Sequence, residues 1–277
     1  MIGPTVAGIL VLNIFPFIQT IILGLSSSKA FGAYEFSGLK NYADMVTSLE
    51  FWKATRNTLW FCVLTVIPGV AISVVTAALL NIKIKGRGFF RALYFLPMVV
   101  SPAAVALVWR WIFNTEYGII NSLVQIKINW LTNSNIIMYA CAIVAVWSAL
   151  GYDAVLLLSG IQNISRTYYE AAEIDGASKF RQFFSITLPM ISPVLFFVII
   201  LRVMASLKVY DLIYMMVDQA NPVLPDVQPL MYLFYRESFI VGNKGYGSAL
   251  AVWTVLLIGV VTCIQFIGQK RWVSYET

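Results

Sequence analysis

The sequence predicts an all-α polytopic membrane protein with six transmembrane helices. Of its 277 residues, 60% are hydrophobic and only 12% are charged, with a mean hydropathy of +0.80. A soluble domain of this length would have too little charge to cover its exterior. The apolar residues also come in long unbroken runs. The strands of a membrane barrel would instead alternate apolar and polar positions. Six runs approach the ~20 residues that a helix needs to cross a hydrocarbon core.

In chain order the first expected span covers residues 4–25, within MIGPTVAGILVLNIFPFIQTIILGL. It is too long for the apolar core of a signal peptide and no small-residue cleavage site follows a short core, so it reads as retained. The second covers 58–80, the third 92–113 and the fourth 136–158. The fifth covers 188–217 at most and reads as tilted or irregular; the sixth covers 248–268. The whole chain, 1–277, reads as a single transmembrane domain.

The net charge of +6 is spread through short loops with no basic tail or stripe, which gives no footprint for nucleic acid. The three cysteines, Cys62, Cys141 and Cys263, each fall inside an apolar run, so they form neither a disulfide framework nor a metal-ligand spacing. Histidine is absent, which removes the commonest metal ligand and proton shuttle.

Lys and Arg in short loops set the expected orientation. NIKIKGRGFFR, between spans two and three, carries Lys83, Lys85, Arg87 and Arg91 without an acid. The tail QKRWVSYET adds Lys270 and Arg271 on the same side. Residues 26–57 hold four basic residues too, diluted by Glu35, Asp44 and Glu50. Both termini and the loop between spans four and five are then expected in the cytoplasm.

That loop belongs to a polar island, SRTYYEAAEIDGASKFRQFFSITLPMISPV, residues 165–194. Thr167 and Glu170 fit a capping box for a short helix ending near Gly176. A second short helix is expected to carry Phe180, Phe183 and Phe184 on one face. Pro189 is expected in the first turn of span five.

Glu170-Ala171-Ala172, then Asp175-Gly176, then Ile186, Leu188 and Pro189 resemble the EAA loop of permease subunits in binding-protein-dependent ABC importers. FSGLKNYADM, KGRGFFRALYFLPMVVSPAAVALVWRWIFNTEYGIIN and YGSALAV are similar to the carbohydrate-uptake class, which includes the maltose and glycerol-3-phosphate permeases. The resemblance spans essentially the whole chain. One departure is Gln219-Ala220-Asn221-Pro222, where the family commonly has Gly-Gly-Pro. Such permeases often carry a basic flank before the first span; its lack here suggests a truncated start.

The resemblance implies a type I importer permease in a cytoplasmic membrane, with the loop at about 159–187 coupling to a separate ATPase. The implied partners are a second homologous permease subunit, two ATPase subunits and an extracytoplasmic solute-binding protein, all within a lipid bilayer. No cofactor is expected on this chain: G-x-x-x-x-G-K-[ST] is absent, and ATP and Mg belong to the partner ATPase. The expected solute is a sugar or oligosaccharide; an acidic sugar or a glycerol phosphate ester is the alternative.

Ionisable groups inside spans are costly and mark candidate sites. Asp153 lies in span four; Arg202, Lys208 and Asp211 lie in span five. Arg110, near the end of span three, is explained by snorkelling. Arg202 and Ser206 share a helix face, and Lys208 and Asp211 have the spacing to pair directly. These charges either neutralise one another in the bundle or face a water-filled path. Trp147, Tyr152 and Tyr210 offer aromatic faces for a sugar, whereas Trp109, Trp111, Trp130 and Trp253 read as interface anchors. An ion-coupled secondary transporter would show span repeats, and a membrane enzyme would show a catalytic constellation; neither is evident.

Overall fold

A computed structural model of the chain describes residues 2–28, 34–82 and 86–274. Lys83 and Lys85 of the basic cluster, and the side chain of Arg87, lie outside the described residues. The first helix, α1 (Gly3–Gly24), passes through a π-turn at Leu10–Ile14. A small antiparallel hairpin follows, β1 (Ser26–Ser28) with β2 (Tyr34–Phe36), and then α2 (Lys40–Thr47).

The second span is longer than its apolar run. Helix α3 (Leu49–Asn81) has 33 residues, because Ser48 caps it by accepting from the Phe51 N–H at 3.4 Å. Its polar first turns lie beyond the apolar stretch that marked 58–80.

The third span is not one helix. α4 (Arg87–Val99) and α5 (Pro102–Ile112) meet at a bend of 106°. Pro102 pushes the residue before it out of helical geometry, and Ser101 is extended there, with its hydroxyl accepting from the Ala104 N–H. After α6 (Ile119–Val124) comes the unbroken α7 (Ile137–Asn163).

The polar island forms α8 (Arg166–Ile174) and α9 (Lys179–Met190). α9 bends by 69° into α10 (Ser192–Leu207). Pro189 therefore sits in the helix before the bend, and Pro193 takes the first turn of the span instead. The span ends at Leu207, and a separate short α11 (Asp211–Met216) follows, so the expected 188–217 is three pieces. Helix α12 (Leu230–Tyr235) runs into a π-turn, and α13 (Lys244–Gln269) closes the fold. Four helices meet the length and hydropathy of a span, and six segments do so when each bent pair counts as one span, which gives four to six candidate crossings where six are expected.

α3 and α7 form the spine. Phe61 packs with Cys141 and Val144, while Val70, Val74 and Ala77 pack with Leu157 and Ile161. Gly151 on α7 lets α4 press close: a Cβ there would lie 2.0 Å from the Tyr94 carbonyl oxygen. Gly247 of YGSALAV, and Gly245 just before that stretch, have a similar cause. A Cβ at Gly245 would meet the Ser26 carbonyl at 2.2 Å, and one at Gly247 would meet the Ser238 hydroxyl. The hairpin and the π-turn pack directly onto α13 through these gaps.

The two ends of the bundle are distinct. At one end, Lys53 pairs with Asp226 at 2.6 Å, Arg236 with Glu50 at 2.7 Å, and Asn57 donates to the carbonyls of Pro225 and Gln228. There the Asn221 amide donates to the Leu131 carbonyl. At the other end, α8 and α9 lie by the end of α3, around a cavity lined by Ala78, Asn81, Tyr169, Lys179 and Thr187. The Ser274 N–H there donates to the Ser192 hydroxyl.

Candidate functional site

Two places carry the site residues. The first is the α8–α9 knob. Ser165, in extended geometry, caps α8 by accepting from the Thr167 N–H at 3.4 Å. Thr167 is already helical, so the expected Thr167–Glu170 capping box does not form. The helix ends in a Schellman turn: the Ala177 N–H donates to the Ala172 carbonyl at 2.9 Å and the Gly176 N–H to the Glu173 carbonyl at 3.0 Å. Gly176 has φ +72°, the left-handed value this turn requires.

Ser178 then caps α9 through the Arg181 N–H. Lys179 bridges back to Glu173, and its hydrogen bond holds the Glu173 carboxyl below the usual carboxylate range. Buried Gln182 donates to the Ala177 carbonyl at 3.1 Å. The hydroxyls of Tyr169 and Thr187 bond at 2.9 Å and tie α8 to the far end of α9. The result is a cross-braced protrusion rather than a loose connection.

Its outer face carries Glu170, Ala171, Asp175 and Gly176, with Pro189 also exposed. Ala172, Ile186 and Leu188 are half-buried. Ile174, 88% exposed, and Phe180, 75% exposed, stand beside the acids. The three phenylalanines do not share a face: Phe180 and Phe184 touch at 4.8 Å on the outside, whereas Phe183 packs with Ile161 and Leu80. Ile174 carries no sequence signal of its own; its exposure follows from the turn at Gly176.

The second place lies between α7 and α10. The Arg202 Nε donates to the Asp153 Oδ1 at 2.8 Å, with Asp153 only 1% exposed and Arg202 22%. The guanidinium carbon lies 5.8 Å from the centre of the Tyr152 ring. Arg202 lines two cavities. One, of about 460 Å³, opens at the α4–α5 bend among Pro97, Pro102, Ser148, Tyr152 and Leu212. The other, of about 100 Å³, lies against Thr65 and Ser206, whose hydroxyls bond at 2.9 Å. Arg202 and Ser206 share a face, as expected.

Other expected members lie elsewhere. Lys208 and Asp211 are both exposed, and among the described residues no ion pair joins them. The helix stops at Leu207, so the spacing for pairing along one face is lost. Trp147 packs edge-on to Trp109 at 5.5 Å and lines a separate, apolar cavity with Leu93 and Leu96. Tyr210 joins an aromatic group with Tyr214, Tyr232 and Tyr235. Trp130 stacks on Phe113 and donates to Asn121, and Trp253 packs on Phe51. Trp109, Trp130 and Trp253 are half-buried against these neighbours, and Trp111 is exposed. Arg110 donates to the Met215 carbonyl at 3.4 Å, linking α5 to α11. Among the described residues no group of three metal-ligating side chains occurs.

Comparison with known proteins agrees with this arrangement. Residues 69–273 match the model of the binding-protein-dependent transport system inner membrane component family. The trehalose/maltose transport system permease protein MalF of Thermococcus litoralis is 34% identical over 98% of this chain and 93% of its own length. The sn-glycerol-3-phosphate transport system permease protein UgpA of Escherichia coli is 29% identical over 100% of this chain and 95% of its own. A crystal structure of a bacterial alginate ABC transporter, in complex with an alginate pentasaccharide-bound periplasmic protein, superimposes with a TM-score of 0.89. It covers 100% of this chain and 95% of that one at 19% identity, a likeness of fold. The chain therefore belongs to the family of binding-protein-dependent transport system inner membrane components: it is a multi-pass permease subunit of an ABC importer.

Proposed function

We propose that this permease imports a sugar or oligosaccharide, coupled to ATP hydrolysis on partner subunits through the α8–α9 knob. The braced knob carries this reading. It presents Glu170, Ala171, Ala172, Asp175 and Gly176 with Ile174 and Phe180 at one end of the bundle, and Ile186, Leu188 and Pro189 join it to the bend before α10. Exposed Ile174 and the touching pair Phe180 and Phe184 put apolar surface beside these acids, which suits contact with a protein partner.

In this reading residues 1–277 form one transmembrane domain, with the coupling loop at about 159–187 and both termini in the cytoplasm. Two ATPase subunits carrying ATP and Mg dock at this knob and at its equivalent on a second, homologous permease. An extracytoplasmic solute-binding protein docks at the opposite end, by Lys53, Asp226 and Arg236. Closure of the ATPase dimer shifts the knob, and the bend at Ile191 passes the motion to α10 and Arg202 as a two-state change. Arg202, Tyr152 and Ser206 line the path, with Asp153 buried behind Arg202; Trp147, Tyr210, Lys208 and Asp211 lie outside the two cavities at Arg202. The names of the relatives, trehalose/maltose and lactose among them, favour a sugar.

The test is uptake by proteoliposomes holding the complete complex, with the binding protein outside and ATP inside, across a sugar panel. ATP-dependent accumulation of one sugar is expected. Uptake driven by an ion gradient without the ATPase would overturn the proposal.

A further inference from the structure

We infer that Asp153 sets the charge class of the solute: by neutralising Arg202 it makes this wall of the path select uncharged sugars and exclude acidic ones. The inference rests on the reading that the cavity at Arg202 is the solute path, and it adds a specificity that family membership leaves open. Relatives named for trehalose/maltose and for sn-glycerol-3-phosphate lie at comparable identity.

The observations are these. Arg202 is the one charged residue among the described side chains lining the two cavities it borders. Alone, it would be a ready anion site. Its Nε is instead committed to Asp153 at 2.8 Å. The second oxygen of Asp153 is buried and accepts no hydrogen bond among the described residues. At 1% exposure the carboxylate cannot reach a solute; its full charge acts on Arg202. The bond to Asp153 uses Nε, and Arg202 lines both cavities, where its other guanidinium N–H groups can donate to a neutral hydroxyl. Tyr152 and the rings of Pro97 and Pro102 offer C–H and aromatic surface, and Ser148 is the neighbouring hydroxyl. The cavity of about 460 Å³ falls in the range of small-ligand sites. This wall thus sums to zero, and a carboxylate or phosphate entering it would be desolvated without a free cation in return.

The experiment compares a neutral hexose-based sugar with its uronic-acid counterpart, as uptake per assembled complex in proteoliposomes. Four variants are used: Asp153→Asn, Arg202→Gln, the double variant, and Ser148→Asp. Asp153→Asn frees the Arg202 charge and should raise the acidic-to-neutral uptake ratio by about tenfold or more, since an unscreened pair at contact is worth several tenfold steps. The double variant, again neutral, should return the ratio to the wild-type value. Ser148→Asp adds a negative charge to the same wall and should lower the ratio, so the inference stays testable if Asp153→Asn fails to assemble. A ratio that stays fixed while both uptakes fall overturns the specificity role and leaves the path intact. Unchanged uptake of both sugars in every assembled variant overturns the path reading itself.

Discussion

Gly176 offers the sharpest test of how the knob is presented. Its φ of +72° closes the Schellman turn between α8 and α9, and a Cβ built there meets no atom within 4 Å. Substitution therefore creates no clash inside the chain, and the cost is conformational. A left-handed backbone costs an ordinary residue ~1–2 kcal/mol, and a β-branched one more. In Gly176→Val the two turn bonds, at 2.9 Å and 3.0 Å, must be held against that cost. A change of ~1–2 kcal/mol lowers the population of the docking-ready turn by about 5- to 30-fold, and apparent affinity for the ATPase falls in proportion once that turn is no longer dominant. Asn tolerates the left-handed region far better. In reconstituted complexes, solute-stimulated ATP hydrolysis should drop about tenfold in Gly176→Val and stay within about threefold of wild type in Gly176→Asn. Full stimulation in the valine variant, or equal loss in both, would refute the argument that turn geometry controls docking.

Two further outcomes test the frame around it. In a background with Cys62, Cys141 and Cys263 replaced, a cysteine at exposed Gly88 should resist an impermeant thiol reagent in intact cells and react after lysis; labelling from outside would invert the topology. At the opposite end, hydrogen bonds from Lys53 and Ser134 hold the Asp226 carboxyl below its usual range. Its stabilising effect is present above the usual carboxylate pKa, ~3.9, and is lost as pH falls through the depressed folded value. Asp226→Asn should melt below wild type at pH 7, with the gap closing under acid; a constant gap would remove the ionic contribution.

Sequence patterning located the six apolar segments and the knob, because a span leaves a run of apolar residues and a helix end leaves a capping residue and a glycine. Two kinds of feature escaped it. Hydropathy does not register bends, so Pro97 and Pro102 pass inside one apolar run although they flank a change of direction of 106°. Periodicity also shows which residues share a face but not which faces meet. Asp153 and Arg202 are 49 positions apart, and only the packing of α10 on α7 joins them. The Lys208–Asp211 pairing failed for the related reason that it assumed a continuous helix. Ser165 won over Thr167 as the cap because two hydroxyl residues, two positions apart, competed for one helix start, and sequence alone does not rank them.

The bend of the third span bears on how the chain enters its membrane. At 1.5 Å per residue, α4 reaches about 20 Å and α5 about 16 Å, each short of the ~30 Å hydrocarbon core. Neither arm is able to insert as an independent helix, because the peptide groups at the corner would be stranded without hydrogen-bond partners in lipid. The corner is tolerated only where protein or water surrounds it. α4 packs on Gly151 of α7 at Tyr94, while the corner itself, through Val100 and Pro102, borders the cavity of about 460 Å³ whose other walls come from α7 and α10. The bent span is therefore completed only when those later helices wall the cavity, so it settles in the bilayer with them rather than in order of synthesis.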